Sequence, residues 1–191
     1  MLTKLRARIS KILLALGRLL SKAGFKPNTI TLLSLAPSFT ALYFAYIHEV
    51  FLFILFVCFS SLLDVLDGAV ARASGKKTVF GAFLDSTIDR VNDALFITSL
   101  YFLGINVLLV FLILITSYLI SYTRARAEGL GIRIEGIGII ERPERIVFIV
   151  VIAVLTYFDI FTASIIASIF LILSSFSVFQ RIYFVFKKAS S

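Results

Sequence analysis

LLDVLDGAVARASGKKTVFGAFLDSTIDR, residues 62–90, sets four aspartates, Asp64, Asp67, Asp85 and Asp89, into an otherwise apolar chain. At about 100° per residue, Asp64, Asp67, Gly68, Ala71 and Arg72 project into an arc of roughly 140° on one helix. Asp85 and Asp89, one turn apart, share a face of the next helix with Gly81. Only residues 74–80 separate the two helices, so they are antiparallel neighbours. Their carboxylate faces then meet at one end.

The 191-residue chain is 60% hydrophobic and 16% charged, with a mean hydropathy of +1.03. Soluble domains average about 45–50% apolar and about 25% charged. Apolar runs of about twenty residues, enough for a helix to cross about 30 Å of hydrocarbon, recur along the length. The pattern predicts an all-α integral membrane protein with six transmembrane helices near residues 29–47, 50–73, 81–103, 105–126, 143–158 and 160–185. One cysteine and one histidine exclude a disulfide framework and a Cys/His zinc site. Cys58 falls in an apolar run and is expected to be a small buried residue, while His48 sits in a short loop with no evident role.

The formal net charge is +8, and its distribution decides what it means. The turns around His48-Glu49, Gly104 and Asp159 carry no Lys or Arg. All nineteen basic residues lie on the other side of the six-span layout: seven in residues 1–26, four in 72–90, five in 124–145 and three in 181–188. The positive-inside bias makes that side cytoplasmic, with both termini and the aspartate cluster. Charge spread thinly along a membrane face excludes nucleic acid as a partner. Within residues 1–25, Leu2, Leu5, Ile9, Ile12, Leu16 and Leu19 recur every three or four positions. Lys4, Arg8, Lys11, Arg18 and Lys22 recur opposite them. This describes a basic amphipathic helix lying in the headgroup layer, and the absence of a long uncharged core argues against a signal peptide. Asn28 or Thr29 is expected to cap the first span and Pro37 to kink it. With no internal repeat, residues 1–191 are expected to form a single membrane domain: interfacial helix 1–25, then a bundle over 29–185.

Each carboxylate at bilayer depth costs on the order of 2.5–3.5 kcal/mol. Ion pairs with Arg72 and Arg90, protonation, or bound cations can offset that cost. A salt-bridge lattice explains the arginines but leaves the acidic surplus. Hard divalent cations prefer oxygen ligands and commonly bind through carboxylates plus substrate phosphates. Gly68, Ala71 and Gly81 leave room for such a ligand near the backbone. Asp89, farther along its helix, is the better candidate to take a proton from an attacking hydroxyl.

Asp64-x2-Asp67-Gly68-x2-Ala71-Arg72-x8-Gly81-x3-Asp85-x3-Asp89 resembles the signature of the CDP-alcohol phosphotransferase family at all eight fixed positions. The resemblance implies displacement of CMP from a CDP-linked donor by an alcohol at a site holding two Mg²⁺ or Mn²⁺ ions. It implies that Asp64, Asp67 and Asp85 bind metal, and that Asp89 binds the second metal and accepts the proton. Gly68, Ala71, Arg72, Thr78 and Gly81 would meet the CDP-lipid, as would Pro27, Asn28, Thr29 and Ile30. A homodimer among membrane lipids is also implied.

SYTRARAEGLG (121–131) and GIGIIERPER (136–145) are similar to the branch that accepts inositol 1-phosphate. On that likeness Ser121, Arg124, Arg126, Arg145 and Arg181 form the acceptor-phosphate pocket. Arginine forks suit phosphate oxygens, although topology or anionic lipid also explains basic residues here. On an unbroken helix Arg126 points about 160° away from Arg124, so one pocket for both requires the helix to end or unwind at these arginines, as Gly129 and Gly131 would permit. Glu128, Glu141 and Glu144 are expected to orient these arginines, and Asp93 to support the site or pair with Arg90. Glycerol 3-phosphate as acceptor, and CDP-inositol as donor, are alternatives within the same chemistry. An ion or metal transporter is the rival from another class, but it expects polar groups continuing toward the outer face, where these spans are almost purely apolar.

Overall fold

The computed structural model of the chain describes residues 2–75, 78–134 and 136–189, with side chains from Ile12 onward. Its described secondary structure is helical throughout: α1 Leu2–Lys22, α2 Pro27–Leu33, α3 Leu35–Tyr46, α4 Val50–Ser74, α5 Val79–Phe102, α6 Val107–Gly129, α7 Arg142–Phe158 and α8 Ile160–Ala189. Among the described residues, four segments are long and apolar enough to cross a membrane: Pro27–Tyr46, Val50–Ser74, Val107–Gly129 and Ile160–Ala189. Of the other two expected spans, α5 is long but carries Asp85, Asp89, Arg90 and Asp93. With 17 residues, α7 reaches about 25 Å.

Packing divides the chain into two compact units, Met1–Ala41 with Leu55–Asn92, and Leu42–Ile54 with Asp93–Ser191. In the first, α1 seats on α4 at Gly17, where a Cβ would stand 2.7 Å from the backbone carbon and oxygen of Ala69. Only glycine allows that approach. Ile12, Leu16 and Leu19 remain exposed on α1, as do Arg18 and Lys22 of the expected basic face. The side chains of the pattern's other members, all within residues 1–11, lie outside the described residues.

The first apolar segment breaks at Ser34, between α2 and α3. Pro37 is the cause, acting one turn upstream: it offers no N–H to the carbonyl of Leu33, and its ring clashes there. A buried polar knot fills the break. Ser34 Oγ donates to the Thr31 carbonyl at 2.7 Å, Ser60 Oγ donates to the Ser34 carbonyl at 2.9 Å, and Asn92 Nδ2 donates to Ser34 Oγ at 3.0 Å. Ser38 and Ser60 hydroxyls share a 2.7 Å bond. Neither Asn28 nor Thr29 caps the segment: the helix begins at Pro27, with Lys26 at the cap position and no side-chain cap bond. Proline at the first helical position, where an N–H is unneeded, sets that start.

In the second unit α8 packs against α6 and α7, with Phe148 and Phe170 stacked at 4.9 Å. Asn106 caps α6 through the Leu108 amide at 2.9 Å, and Asp159 accepts from the Thr162 amide at 2.8 Å at the start of α8. The donors around Asp159 hold its carboxyl below the usual carboxylate range, the Thr162 hydroxyl contributing most. Both units reverse the soluble pattern. Phe51, Leu55, Phe161, Ile172 and Phe179 are more than half exposed, while Ser38, Asn92, Ser99, Ser174, Arg145 and Arg181 are buried. Cys58, expected to be buried, is exposed, because it shares the outward face of α4 with Leu55, Phe59 and Leu62. Large apolar side chains outside and hydrogen-bonding groups inside are what a lipid solvent selects.

Candidate active site

Asp64 and Asp67 come from α4 and Asp85 from α5, and each offers a carboxylate oxygen within 4.8 Å of the others. Three acidic oxygens gathered so closely suit a hard divalent cation. Asp67 is the buried member, 4% exposed, and its Oδ2 accepts a hydrogen bond from Thr31 Oγ1. Thr31 thereby orients one ligand of the candidate centre from α2. Asp89 stands one turn beyond Asp85, outside that trio, with Oδ2 3.6 Å from Arg90 Nη1. Arg90 is itself anchored, its Nη1 donating to the Ser86 carbonyl at 2.6 Å.

Beside the trio opens a cavity of about 200 Å³ lined from α2, α4, Thr78 and α5. Of the residues the resemblance assigns to the CDP-lipid, Pro27, Asn28, Gly68, Ala71, Arg72, Thr78 and Gly81 line it, together with Asp67 and Asp85. Thr31 and Ala82 line it too, and sequence reasoning missed both. Thr31 was legible as the residue one turn after Pro27. Thr29 and Ile30 do not line the cavity, because the helix turns them roughly 150° and 110° from the lining face of α2. Ile30 is buried, and Thr29 lines a separate recess with Lys26.

Small residues shape the cavity as expected. A Cβ on Gly81 would stand 2.9 Å from Thr78 Oγ1 and 3.0 Å from Asn28 Oδ1, and the Gly81 amide donates to Thr78 Oγ1 at 2.9 Å. Gly68 lets the Arg72 guanidinium fold back, its Nη1 3.3 Å from where a Cβ would be. The cavity thus offers carboxylates, a guanidinium and two neutral oxygens.

The second unit holds the other arginines. Arg145, buried, donates from Nη2 to Asp93 Oδ2 at 2.8 Å and from Nη1 to the Ser117 carbonyl at 3.4 Å. Arg142 Nε lies 3.5 Å from Asp93 Oδ1. Asp93 therefore pairs with α7 arginines rather than with Arg90, whose ion pair is with Asp89. Arg181 donates from Nε to the Ile137 carbonyl at 2.8 Å and from Nη1 to the carbonyl of Ile120, next to the buried Ser121. Arg124 Nε bonds Glu128 Oε1 at 2.9 Å, so Glu128 orients an arginine as expected. Glu144 instead accepts the Glu141 amide at 3.0 Å, closing the first turn of α7. Arg181 is within electrostatic reach of Arg124, Arg145, Glu128 and Glu141. Arg126 does not join them: α6 continues unbroken to Gly129, so Arg126 keeps its opposite azimuth and is exposed.

Lipid-facing helices around a carboxylate trio and a small polar cavity define an integral membrane protein equipped for cation-assisted chemistry on phosphates. The chain belongs to the CDP-alcohol phosphatidyltransferase family, whose profile matches residues 25–180. It is 41% identical over 150 residues to the archaetidylinositol phosphate synthase of Pyrococcus horikoshii, covering 78% of this chain and 80% of that one. It is 36% identical over 167 residues to the Aeropyrum pernix protein of the same name, covering 87% and 86%. The crystal structure of Mycobacterium tuberculosis phosphatidylinositol phosphate synthase with CDP-DAG bound superposes with a TM-score of 0.81 at 33% identity, over 92% of this chain and 94% of that one. The same enzyme in complex with manganese and citrate also gives 0.81.

Proposed function

We propose that this protein transfers the lipid-phosphate group of a CDP-linked lipid to inositol 1-phosphate and releases CMP. The observation that carries the proposal is the Asp64, Asp67 and Asp85 trio beside the cavity that Arg72 and Thr78 line. Relatives named as archaetidylinositol and phosphatidylinositol phosphate synthases support the choice of acceptor.

Two Mg²⁺ or Mn²⁺ ions held by these three aspartates and Asp89 would neutralise the diphosphate and the oxygen on which CMP departs. Arg72, Thr78 and Asn28 orient the CDP group, and Gly68 and Gly81 keep space for it. Arg124, Arg145, Arg181 and Ser121 bind the acceptor's phosphate. The hydroxyl oxygen of the acceptor attacks the lipid-side phosphorus, and its proton passes to Asp89. The bond from that phosphorus to the bridging oxygen breaks, and the oxygen leaves with CMP. Six membrane passes, including α5 and α7, place both termini and the donor cavity on the cytoplasmic side, as the one-sided distribution of Lys and Arg supports. In this reading α1 lies in the headgroup layer with Ile12, Leu16 and Leu19 toward the acyl chains. The whole chain acts as one membrane domain, and two copies form the working dimer.

Purified full-length protein is to be assayed with a CDP-lipid, Mg²⁺ or Mn²⁺, and radiolabelled inositol 1-phosphate or glycerol 3-phosphate. Label entering the lipid phase from inositol 1-phosphate, with stoichiometric CMP, is expected. Transfer only to glycerol 3-phosphate refutes the acceptor, and no CMP release with either refutes the chemistry.

A further inference from the structure

We infer that the C-terminal end of α8 carries a groove for an anionic membrane phospholipid, distinct in every lining residue from the donor cavity. The groove encloses about 470 Å³, within the roughly 300–1,000 Å³ of small-molecule sites. Its walls are Ile137, Gln180, Tyr183, Phe184, Lys187 and Lys188. Positions 180, 183, 184, 187 and 188 recur at helical spacing and form one stripe of α8. The facing wall is fixed in place. Arg181 Nε holds the Ile137 carbonyl at 2.8 Å, Gln180 Oε1 accepts the Ile139 amide at 3.2 Å, and Ser177 Oγ accepts the Ile140 amide at 2.8 Å.

The lining chemistry selects the occupant. Ile137, Tyr183 and Phe184 offer a floor that a hydrocarbon chain would cover and a free inorganic anion would not. Lys187 and Lys188, both exposed, stand together at one end, and among the described residues no acidic side chain lines the groove. A phosphate that brings its own hydrocarbon satisfies both ends, and α8 is long and apolar enough to reach the headgroup layer. Each juxtamembrane lysine favours an anionic over a zwitterionic headgroup by about five-fold. The transfer reaction uses none of these six residues.

The chain contains no tryptophan, so Tyr183→Trp installs a single fluorescent reporter inside the groove. The full-length variant goes into phosphatidylcholine vesicles containing equal mole fractions of either brominated-chain phosphatidylglycerol or brominated-chain phosphatidylcholine. Brominated phosphatidylglycerol is expected to quench the indole with an apparent affinity on the order of ten-fold higher or more. Adding Lys187→Gln and Lys188→Gln is expected to reduce that preference to near unity. A separate Phe158→Trp reporter, outside the groove, is expected to be quenched equally by both lipids. Equal quenching at the Tyr183→Trp site, protection from both lipids, or a preference that survives loss of both lysines overturns the proposal.

Discussion

Replacing Asp93 by Asn isolates the most deeply buried charge pair. Asp93 and Arg145 side chains are 5% and 4% exposed and meet at 2.8 Å, so solvent screening does not discount the interaction. Asn keeps the shape and removes the charge, leaving the buried Arg145 guanidinium beside the Ser117 carbonyl at 3.4 Å without the Asp93 carboxylate that balanced it. Breaking a buried pair from one side costs about 3–5 kcal/mol. Arg142, 3.5 Å from the other Asp93 oxygen and 21% exposed, loses the same carboxylate. At about 2–4 °C per kcal/mol for a chain of this size, melting of the detergent-solubilised protein should fall by about 6–20 °C. The paired replacement Asp93→Leu with Arg145→Met removes the most buried pair from both sides and should recover most of that loss. Arg145 also binds the acceptor phosphate in the proposed function, so Asp93→Asn should raise KM for inositol 1-phosphate more than KM for the CDP-lipid. An Asp93→Asn protein melting within 2 °C of the parent, or a double variant no better than the single, refutes the reasoning.

Asp89→Asn should cut CMP release by about 10²–10⁴-fold while CDP-lipid binding, followed by calorimetry, persists. Chelation with EDTA should abolish turnover, and Asp64→Asn or Asp85→Asn should raise the Mn²⁺ concentration needed to restore it. Gly81→Ala sets a methyl against Thr78 Oγ1 and Asn28 Oδ1, and should weaken CDP-lipid binding about ten-fold with little change in melting. Gly17→Val drives a side chain into the Ala69 backbone and should cost about 1–3 kcal/mol, read as lower melting and faster proteolysis of α1. The depressed Asp159 carboxyl contributes stability above its unfolded value, and that contribution is lost as pH falls through its lower folded value. Asp159→Asn should therefore flatten the acid side of the melting profile.

Helices and their ends were largely legible along the chain, since twenty-residue apolar runs and charge-free turns are local features. The aspartate pattern was equally local: positions 64, 67, 68, 71 and 72 share an arc on any α-helix, whatever surrounds it. Family membership followed from that spacing. Pro37 announced a break but not its place, because its effect falls on the carbonyl one turn earlier.

Contacts between elements were decided in three dimensions. Thr31 reaching Asp67, Asn92 joining the serine knot, and Asp93 choosing α7 over its neighbour Arg90 depend on which helix faces meet. Helical period gives each residue an azimuth, and it leaves open what lies opposite. The division among the aspartates, three together and Asp89 beside Arg90, arises the same way. Arg126 marks the boundary: its azimuth followed from the period alone, but only the folded chain, by continuing α6 to Gly129, kept it away from Arg124.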